Sequence, residues 1–475
     1  MIPALYAKGD NLFIMEEIRE NKMGVQPVPG LILRMSLPMM LSMLVQALYN
    51  VVDSIFVARI CENALTALSL AFPYQMLLVA VSVGTGVGVN SLLARRLGAK
   101  DQQGADEAAA HGQYLALLSG VVLSLIFAFF TRPMMGAFTD DPEIYRYGVD
   151  YLFICGSFCL FSMLQVMNEK TLQATGNMLH PMMIQLSGAV FNIVFDPILI
   201  FGLLGFPAMG VRGAAIATVG GQFVGMLLSF YFLYRRDTLV KIKLRRFRFK
   251  RETLKLIYVV ALPSAVMQAI GSVCNFGLNK ILISFTPTAV TVLGLYFKLQ
   301  SFVFMPVFGL NSGTMPIMAY NYGAQNKERL LQTLKCSSVY AFCIMALGCL
   351  LFQAFPAALL GFFDPSPTLL ALGVPALRIL STCFPVAAIC IIFGALFSAL
   401  GMGIYSLVVS LCRQLIVILP AAYILSRLYG LEAVWFAYPI AETVSLALSI
   451  LFVVRTYREK IQPLDISDSI FQEAL

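Results

Sequence analysis

The sequence predicts an all-α membrane protein of about twelve transmembrane helices, arranged as two parallel six-helix repeats. Three observations lead to this fold class. Hydrophobic residues make up 59% of the chain and charged residues only 12%, whereas a soluble protein carries about 25% charged residues. Apolar runs long enough to cross a bilayer follow one another along most of the chain, and the second half repeats the first. A soluble surface needs charge, so the deficit indicates a surface that faces lipid.

The apolar runs predict the individual membrane helices. A helix crosses the hydrocarbon core with about 20 residues. Several runs exceed this minimum, so we expect tilted helices or ends that protrude from the membrane. The runs fall at 31–58, 64–94, 108–131, 146–172, 180–204, 211–234, 252–284, 288–319, 333–355, 369–398, 404–426 and 432–454.

Lysine and arginine are distributed unevenly between the loops. With the N-terminus placed inside, the inner segments hold 24 of these residues and the outer loops hold 5. Positive charge accumulates in cytoplasmic loops. We therefore expect a multi-pass protein of the cell membrane (plasma or inner membrane) with both termini in the cytoplasm. The acidic residues Glu16, Glu17 and Glu20 do not fit a signal peptide, and residues 1–30 are predicted to be a cytosolic segment.

A basic segment separates the sixth and seventh runs. Ten lysines and arginines lie within residues 235–255. Between two membrane helices, such a segment is typical of a cytosolic linker that contacts anionic lipid headgroups. We expect no binding of nucleic acid.

The second half repeats the first at one constant offset in the numbering, which is 225 between Pro38 and Pro263. Asn50 and Asn275, Phe72 and Phe297, Gln75 and Gln300, Gly84 and Gly309, Gly88 and Gly313, and Gly176 and Gly401 are pairs at this same offset. Each repeat holds about six spans, an even number, so the two repeats enter the membrane from the same side. The predicted organisation is an N-terminal segment 1–30, an N-lobe 31–234, a basic linker 235–251, a C-lobe 252–455 and a C-terminal tail 456–475.

The duplicated helical architecture indicates a secondary transporter with a cleft between its halves. No G-x-x-x-x-G-K-[ST] motif is present, which argues against direct use of ATP by this chain. We expect no cofactor other than a coupling ion, H⁺ or Na⁺.

Polar side chains form a stripe on the first predicted helix. Ser42, Gln46, Tyr49, Asn50 and Asp53 follow one another at spacings of 4, 3, 1 and 3, which places them on one helical face. Hydrogen bonding between helices explains the neutral members. A carboxylate within a membrane helix is costly and typically functional. We therefore assign Asp53 to cation coupling.

The fifth predicted helix repeats this design with Asn192 and Asp196. Two carboxylates in one half-bundle can share one proton or bind a small cation. We expect Asn168 and Thr218 to complete an oxygen-rich site. The only metal expected is Na⁺ at Asp53 and Asp196.

The C-lobe lacks equivalents of both aspartates. At the repeat offset, Asp53 corresponds to Leu278 and Asp196 to Ala421, so the ionisable site is predicted in the N-lobe alone. Four other charges, at Lys298, Arg378, Arg413 and Glu442, are expected to be buried in the C-lobe, in ion pairs or in transport. The residues that we assign to substrate binding are Gln46, Tyr49, Asn50, Phe72, Gln75, Gln268, Asn275, Asn279, Gln300 and Glu442.

Six motifs together are typical of one transporter family, at Leu37-Pro38, 49–57, 94–99, 172–177, 192–197 and 210–218. With these motifs the chain resembles the MATE (multidrug and toxic compound extrusion) transporters, specifically the bacterial multidrug branch. The resemblance covers roughly residues 31–455 and implies a V of two six-helix lobes that exports cationic or amphipathic organic compounds against inward H⁺ or Na⁺. It also implies that Asp53 is a key coupling residue. One branch carries an acid in the seventh span, where this chain has none. We expect a monomer.

Three other classes remain as alternatives. A flippase for a lipid-linked oligosaccharide belongs to the same superfamily and would carry a cationic cavity. An intramembrane enzyme would need a catalytic motif such as H-E-x-x-H or G-x-S-x-G, and neither occurs. A channel fits less well, because duplicated lobes with an off-axis carboxylate site favour alternating access.

Overall fold

The computed structural model describes residues 21–235, 238–242, 248–363 and 365–464. Within its helices, the side chains at positions 50, 51, 54, 55, 58, 62 and 65 lie outside this description. The N-terminal half contains α1 (Lys22–Val25), α2 (Val28–Ala58), α3 (Glu62–Gly98), α4 (Gln102–Gly136), α5 (Pro142–Ser157), α6 (Cys159–Ala174), α7 (Leu179–Phe201) and α8 (Val211–Leu233).

The C-terminal half has the same order of long spans, with additional short helices and two π-helical segments. It contains α9 (Arg251–Ile283), α10 (Pro287–Gly323), α11 (Lys327–Ala354), α12 (Pro356–Gly361), α13 (Pro367–Ser381), α14 (Phe384–Ala399), α15 (Gly403–Leu411), a π-helical segment (Cys412–Ile418), α16 (Leu419–Tyr429), α17 (Leu431–Val434), α18 (Ala437–Thr456) and a second π-helical segment (Tyr457–Ile461).

These helices confirm the predicted fold class. Over the described residues, ten helical spans are long and apolar enough to cross a membrane, and two bent pairs bring the number to twelve. The sequence predicts single helices for the fourth and tenth spans, 146–172 and 369–398. The structure instead bends α5 against α6 by 46° and α13 against α14 by 47°.

Both bent pairs begin with the same local chemistry, at positions related by the repeat offset. Asp141 caps α5 by accepting hydrogen bonds from the N–H groups of Glu143 and Ile144 at 2.9 and 3.0 Å. Ser366 caps α13 by accepting from the N–H of Leu369 at 3.2 Å. In each case a proline follows the cap, where its missing N–H costs nothing.

The bends have separate local causes. Phe158 leaves the helical conformation between α5 and α6, with φ −107° and ψ 16°. In the C-lobe, Pro385 stands at the start of α14, where a proline favours a new helix over continuation of the old one.

The lobes contact each other along α2, α3, α9 and α10, and glycines allow the close approach. A Cβ at Gly84 would lie 2.8 Å from Ala265 Cβ, and one at Gly309 would lie 2.5 Å from Met40 Cα. Gly84 is the repeat equivalent of Gly309, and Met40 is that of Ala265, so the interface repeats the duplication. Small residues at helix crossings let backbones approach in this way.

The closest contact between lobes joins the C-terminal ends of α3 and α10. A Cβ at Gly98 would lie 1.9 Å from Tyr320 O, and one at Gly323 would lie 2.0 Å from Arg95 O. We call this end of the bundle the linker end, because the segment that joins the lobes lies there. The lobes are therefore closed against each other at the linker end.

Two peripheral segments pack at the linker end. The linker contacts α4 through Lys250, whose N–H donates to His111 Nε2 at 3.0 Å and whose Nζ lies 2.6 Å from Glu107 Oε1. The α1 segment spans both lobes, because Met23 O accepts from Asn321 Nδ2 at 3.1 Å while Asn21 Nδ2 donates to Thr175 O at 3.4 Å.

Candidate cation site in the N-lobe

The helices that form the site approach closely because of glycine contacts. A Cβ at Gly221 on α8 would lie 2.7 Å from Gly188 O on α7, and one at Gly213 would lie 2.5 Å from Leu199 O. Thr218 lies between these two glycines on α8, opposite Asn192 on α7. The small residues of the 210–221 segment therefore bring a hydroxyl against the polar face of α7.

Asp196 is the centre of the site and is fully buried. In the orientation of the Asn192 amide that satisfies both of its neighbours, Nδ2 donates to Asp196 Oδ2 at 2.5 Å. The amide oxygen then accepts from the N–H and the hydroxyl of Thr218 at 3.2 and 3.3 Å. Pro197 follows directly and has no N–H to donate.

Asp53 on α2 completes an acid pair, because its carboxyl group lies within hydrogen-bonding reach of that of Asp196. Asp196 Oδ1 is buried and has no hydrogen-bond donor in the described part of the structure. Two ionised carboxylates repel each other at this separation, and a bound cation removes the repulsion. The pair can therefore hold one proton, or one Na⁺ ion with the oxygens of Asn192 and Thr218.

Aromatic hydroxyls surround the acid pair. The hydroxyl of Tyr49, one turn from Asp53, lies near that of Thr218. Tyr151 on α5 is buried and accepts from Gln75 Nε2 at 3.1 Å. The sequence prediction of the site did not include Tyr151, whose signal in the sequence is a tyrosine within a predicted membrane span.

The structure places Asn168 in a different cluster. Asn168 accepts a hydrogen bond from Gln113 and donates one to Ser229 Oγ at 2.8 Å. These contacts occupy its amide within the α4–α6–α8 packing. The structure therefore brings Asp53, Asp196, Asn192 and Thr218 together and gives Asn168 other partners.

The predicted substrate-binding residues are spread over both lobes. Asn275 and Gln300 are half-buried, whereas four other members of the set are exposed, namely Gln46, Phe72, Gln268 and Asn279. The side chain of Asn50 lies outside the described part of the structure.

The C-lobe charges differ from the expectation of four buried groups. Glu442 is buried and its Oε1 lies 3.1 Å from Arg413 NH1. Lys298 and Arg378 are exposed instead, because long basic side chains extend from their helices to the surface. Arg413 belongs to the first π-helical segment, a backbone feature that often occurs at functional sites. No group of three or more His, Cys, Asp or Glu side chains suited to a metal ion occurs among the described residues.

The duplicated helical fold, with a buried acidic site in one lobe, is that of a polytopic membrane transporter. A family model described as MatE matches residues 38–198 and 263–424, and the starts of these two blocks are related by the repeat offset. The chain belongs to the MatE family, and it is a transporter rather than an enzyme.

Two curated relatives match nearly the full chain. The multidrug export protein MepA of Staphylococcus haemolyticus is 27% identical over 456 residues, which cover 96% of this chain and 97% of MepA. A FAD transporter of Shewanella oneidensis is 26% identical over 414 residues, which cover 87% of this chain and 92% of that protein.

Solved structures share the fold. A MOP superfamily transporter from Pyrococcus furiosus, described as having a binding pocket of reverse polarity, has a TM-score of 0.88 and 29% identity, covering 94% of this chain and 99% of its own. An outward-facing conformation of a multidrug resistance MATE family transporter has a TM-score of 0.88 and 29% identity, covering 94% of this chain and 98% of its own.

Proposed function

We propose that this protein exports organic cations or amphipathic drugs in exchange for inward movement of H⁺, or of Na⁺ at the same site. The observation that carries the proposal is the pair of the half-buried Asp53 and the buried Asp196, whose Oδ1 meets no hydrogen-bond donor among the described residues. A carboxyl pair that loses its cation must be resolvated, and that cost depends on which side of the membrane the site faces. Occupancy by the cation can therefore bias the equilibrium between outward-open and inward-open states.

A second candidate function is the transport of an anionic compound, because one relative is a FAD transporter. The flippase of the same superfamily is a further alternative. Both would need a cationic cavity. Arg413 is paired with Glu442, so its charge is already compensated inside the C-lobe. The acid pair of the N-lobe also favours cationic over anionic ligands. We therefore place the export of cations first.

Uptake of a fluorescent organic cation into everted vesicles distinguishes these candidates and identifies the coupling ion. A pH gradient and a sodium gradient are imposed separately. The proposal predicts uptake under one gradient and competition by other organic cations. Failure of both gradients, together with uptake of FAD or of a lipid-linked oligosaccharide, would contradict it.

We further propose that the linker end faces the cytoplasm, with the substrate cleft opening on the opposite side. A cysteine introduced at Thr139 should react with an impermeant maleimide from outside intact cells. Thr139 lies in the loop before α5, at the end of the bundle opposite the linker end, and is partly exposed. A cysteine at Gln325, exposed in the α10–α11 turn, should react only after the membrane is opened. The unsubstituted chain reports labelling of native cysteines, and the reverse pattern would refute the orientation.

Glu442→Gln is expected to change substrate preference more than ion coupling. The substitution keeps the size of the side chain and leaves the Arg413 charge without its partner. An unpaired positive charge that disfavours cationic drugs by ~1 kcal/mol weakens their binding about fivefold. Binding of a panel of cationic and neutral drugs measures the effect, with the exposed Glu432→Gln as control. An unchanged panel would show that the pair is purely structural.

A further inference from the structure

A third acid is buried in the N-lobe, away from the acid pair. Glu169 on α6 is 4% exposed. Its Oε1 accepts from Gln165 Nε2 at 3.0 Å, and its Oε2 accepts from Gln185 Nε2 at 2.8 Å. Burial of a carboxylate is costly even when it is hydrogen-bonded, so its presence within a membrane helix calls for a reason beyond packing.

A hydrogen-bonded chain joins this acid to the helices of the cation site. Ser42 on α2 donates to Gln185 Oε1 on α7, and Gln185 in turn donates to Glu169. Ser42 precedes Asp53 by 11 residues, and Gln185 precedes Asp196 by the same 11. Eleven residues are three helical turns, so each pair shares one face over ~16 Å.

Polar residues line the interval between the two levels. Gln46 and Tyr49 stand between Ser42 and Asp53 on α2, and Asn192 stands between Gln185 and Asp196 on α7. The strip leads from the acid pair towards the linker end, where α6 ends at Ala174. Glu169 is therefore the acid of this strip that lies nearest the linker end.

The direction of the hydrogen bonds in this chain of side chains depends on whether Glu169 is protonated. Both of its oxygens accept amide N–H groups, as an ionised carboxylate does. A protonated carboxyl group has an O–H to donate, and Gln185 can accept it by turning its amide. Nε2 of Gln185 would then donate to Ser42 Oγ, reversing the bond to α2. One proton at Glu169 thus alters contacts among α6, α7 and α2.

Few charged groups lie near Glu169. Lys170, the next residue, acts on it electrostatically. The Lys170 ammonium donates to Gln173 Oε1 at 3.0 Å, and its stem packs on Gly86 of α3. Among the described residues, Glu169 has no ion-pair partner on the neighbouring helices α3, α4, α5, α7 and α8. Its contact from α7 is a hydrogen bond from the neutral Gln185.

The C-lobe has no counterpart of this cluster. At the repeat offset, Glu169 corresponds to Gly394, Gln165 to Cys390, Gln185 to Ser410 and Ser42 to Met267. Like the acid pair, the cluster belongs to the N-lobe alone.

We propose that Glu169 is a second proton-binding site, which takes up the proton released by Asp53 and Asp196 and passes it to the cytoplasm. The proposal rests on the proposed proton-coupled export. An O–H bond breaks at the acid pair, solvent water along the strip carries the proton, and an O–H bond forms on Glu169. The proton then leaves to water at the linker end. No other bond changes, and no electron is transferred.

Glu169→Gln in proteoliposomes tests the relay through two modes of transport. Net export driven by a pH gradient requires release of the proton at the linker end, whereas exchange of labelled for unlabelled substrate does not. We expect net export to fall at least tenfold while exchange stays near the wild-type rate. Glu169→Asp should restore part of net export, because an acid is again present. The exposed Glu252→Gln is the matched control and should behave as wild type.

Ser42→Ala provides a second route to the same test, because it removes one hydroxyl and with it the hydrogen bond from α2 to Gln185. It should slow net export more than exchange, even if Glu169→Gln fails to fold. Wild-type net export in either folded variant, with Asp53→Asn inactive, would overturn the relay and leave the proposed function intact. Equal losses of net export and exchange would show a structural role and also overturn it. Wild-type behaviour of Asp53→Asn would instead overturn the proposed function.

Discussion

Asp53→Asn is expected to abolish gradient-driven export while the protein stays folded and still binds its substrate. The amide keeps the size of the carboxyl group and its capacity to hydrogen-bond with Asp196. It cannot exchange a proton or neutralise a cation. Couplings between binding sites are typically about 1–3 kcal/mol, so we expect the accumulation ratio to fall roughly 5- to 150-fold, towards passive leak.

The duplication supplies a matched control for this experiment. Leu278→Asn places the same amide at the equivalent position of the C-lobe, where no acid is lost. We expect this variant to retain coupling. Transport is measured in proteoliposomes under an imposed gradient, beside equilibrium substrate binding. Full gradient-driven export by Asp53→Asn would rule out the N-lobe mechanism.

Asp196→Asn should give the same loss as Asp53→Asn. The double variant should be little worse than either single variant, because residues that act as one site are strongly non-additive. Independent losses that simply add would indicate two separate sites.

Gly98→Ala is expected to open the linker end and move the conformational equilibrium away from the closed contact. The added Cβ would lie 1.9 Å from Tyr320 O, a backbone atom that cannot move without its helix. Overpacking of this kind typically costs about 1–3 kcal/mol. Only states in which α3 and α10 are packed at this point bear the cost. The closed population should therefore fall roughly 5- to 150-fold relative to the open one.

Spin-label distances between positions 100 and 325 report this opening, because the two residues follow α3 and α10 at the linker end and are exposed. The labels are introduced on a background without native cysteines. Gly294→Ala is the control, because it adds the same atom to α10 where nothing lies within 4 Å. An unchanged distance distribution in Gly98→Ala would contradict the assignment of this contact to the closed state.

Much of the fold could be predicted from the sequence, because a membrane imposes length and polarity on each helix. The twelve apolar runs correspond to the observed spans, and the repeat offset recurs in the caps, the bends and the glycine contacts. The bend at Phe158 was not predicted, although the Gly156-Ser157 pair directly before it is of a kind found at helix kinks. It depends on packing that a run of apolar residues does not reveal.

The site could be predicted in part, for a related reason. Helical spacing shows which residues share a face, and that placed Asp53 and Asp196 on polar faces. It does not show which helices those faces contact. Asn168 was assigned to the cation site but pairs with Gln113 and Ser229. Glu169, its neighbour, was overlooked because it stands in a run that otherwise resembles a helix end at the membrane surface.

The pH dependence of substrate binding tests the central claim most directly, which is that the cation site at Asp53 and Asp196 is emptied as substrate binds. Linkage requires that a proton and a substrate that exclude each other weaken each other equally. Binding of an organic cation by the purified wild-type protein should therefore strengthen as the pH rises, or as sodium is removed if Na⁺ is the coupling ion. In Asp53→Asn, binding should persist and lose this dependence. The same dependence in both proteins would show that the coupling cation is bound elsewhere and would contradict the account.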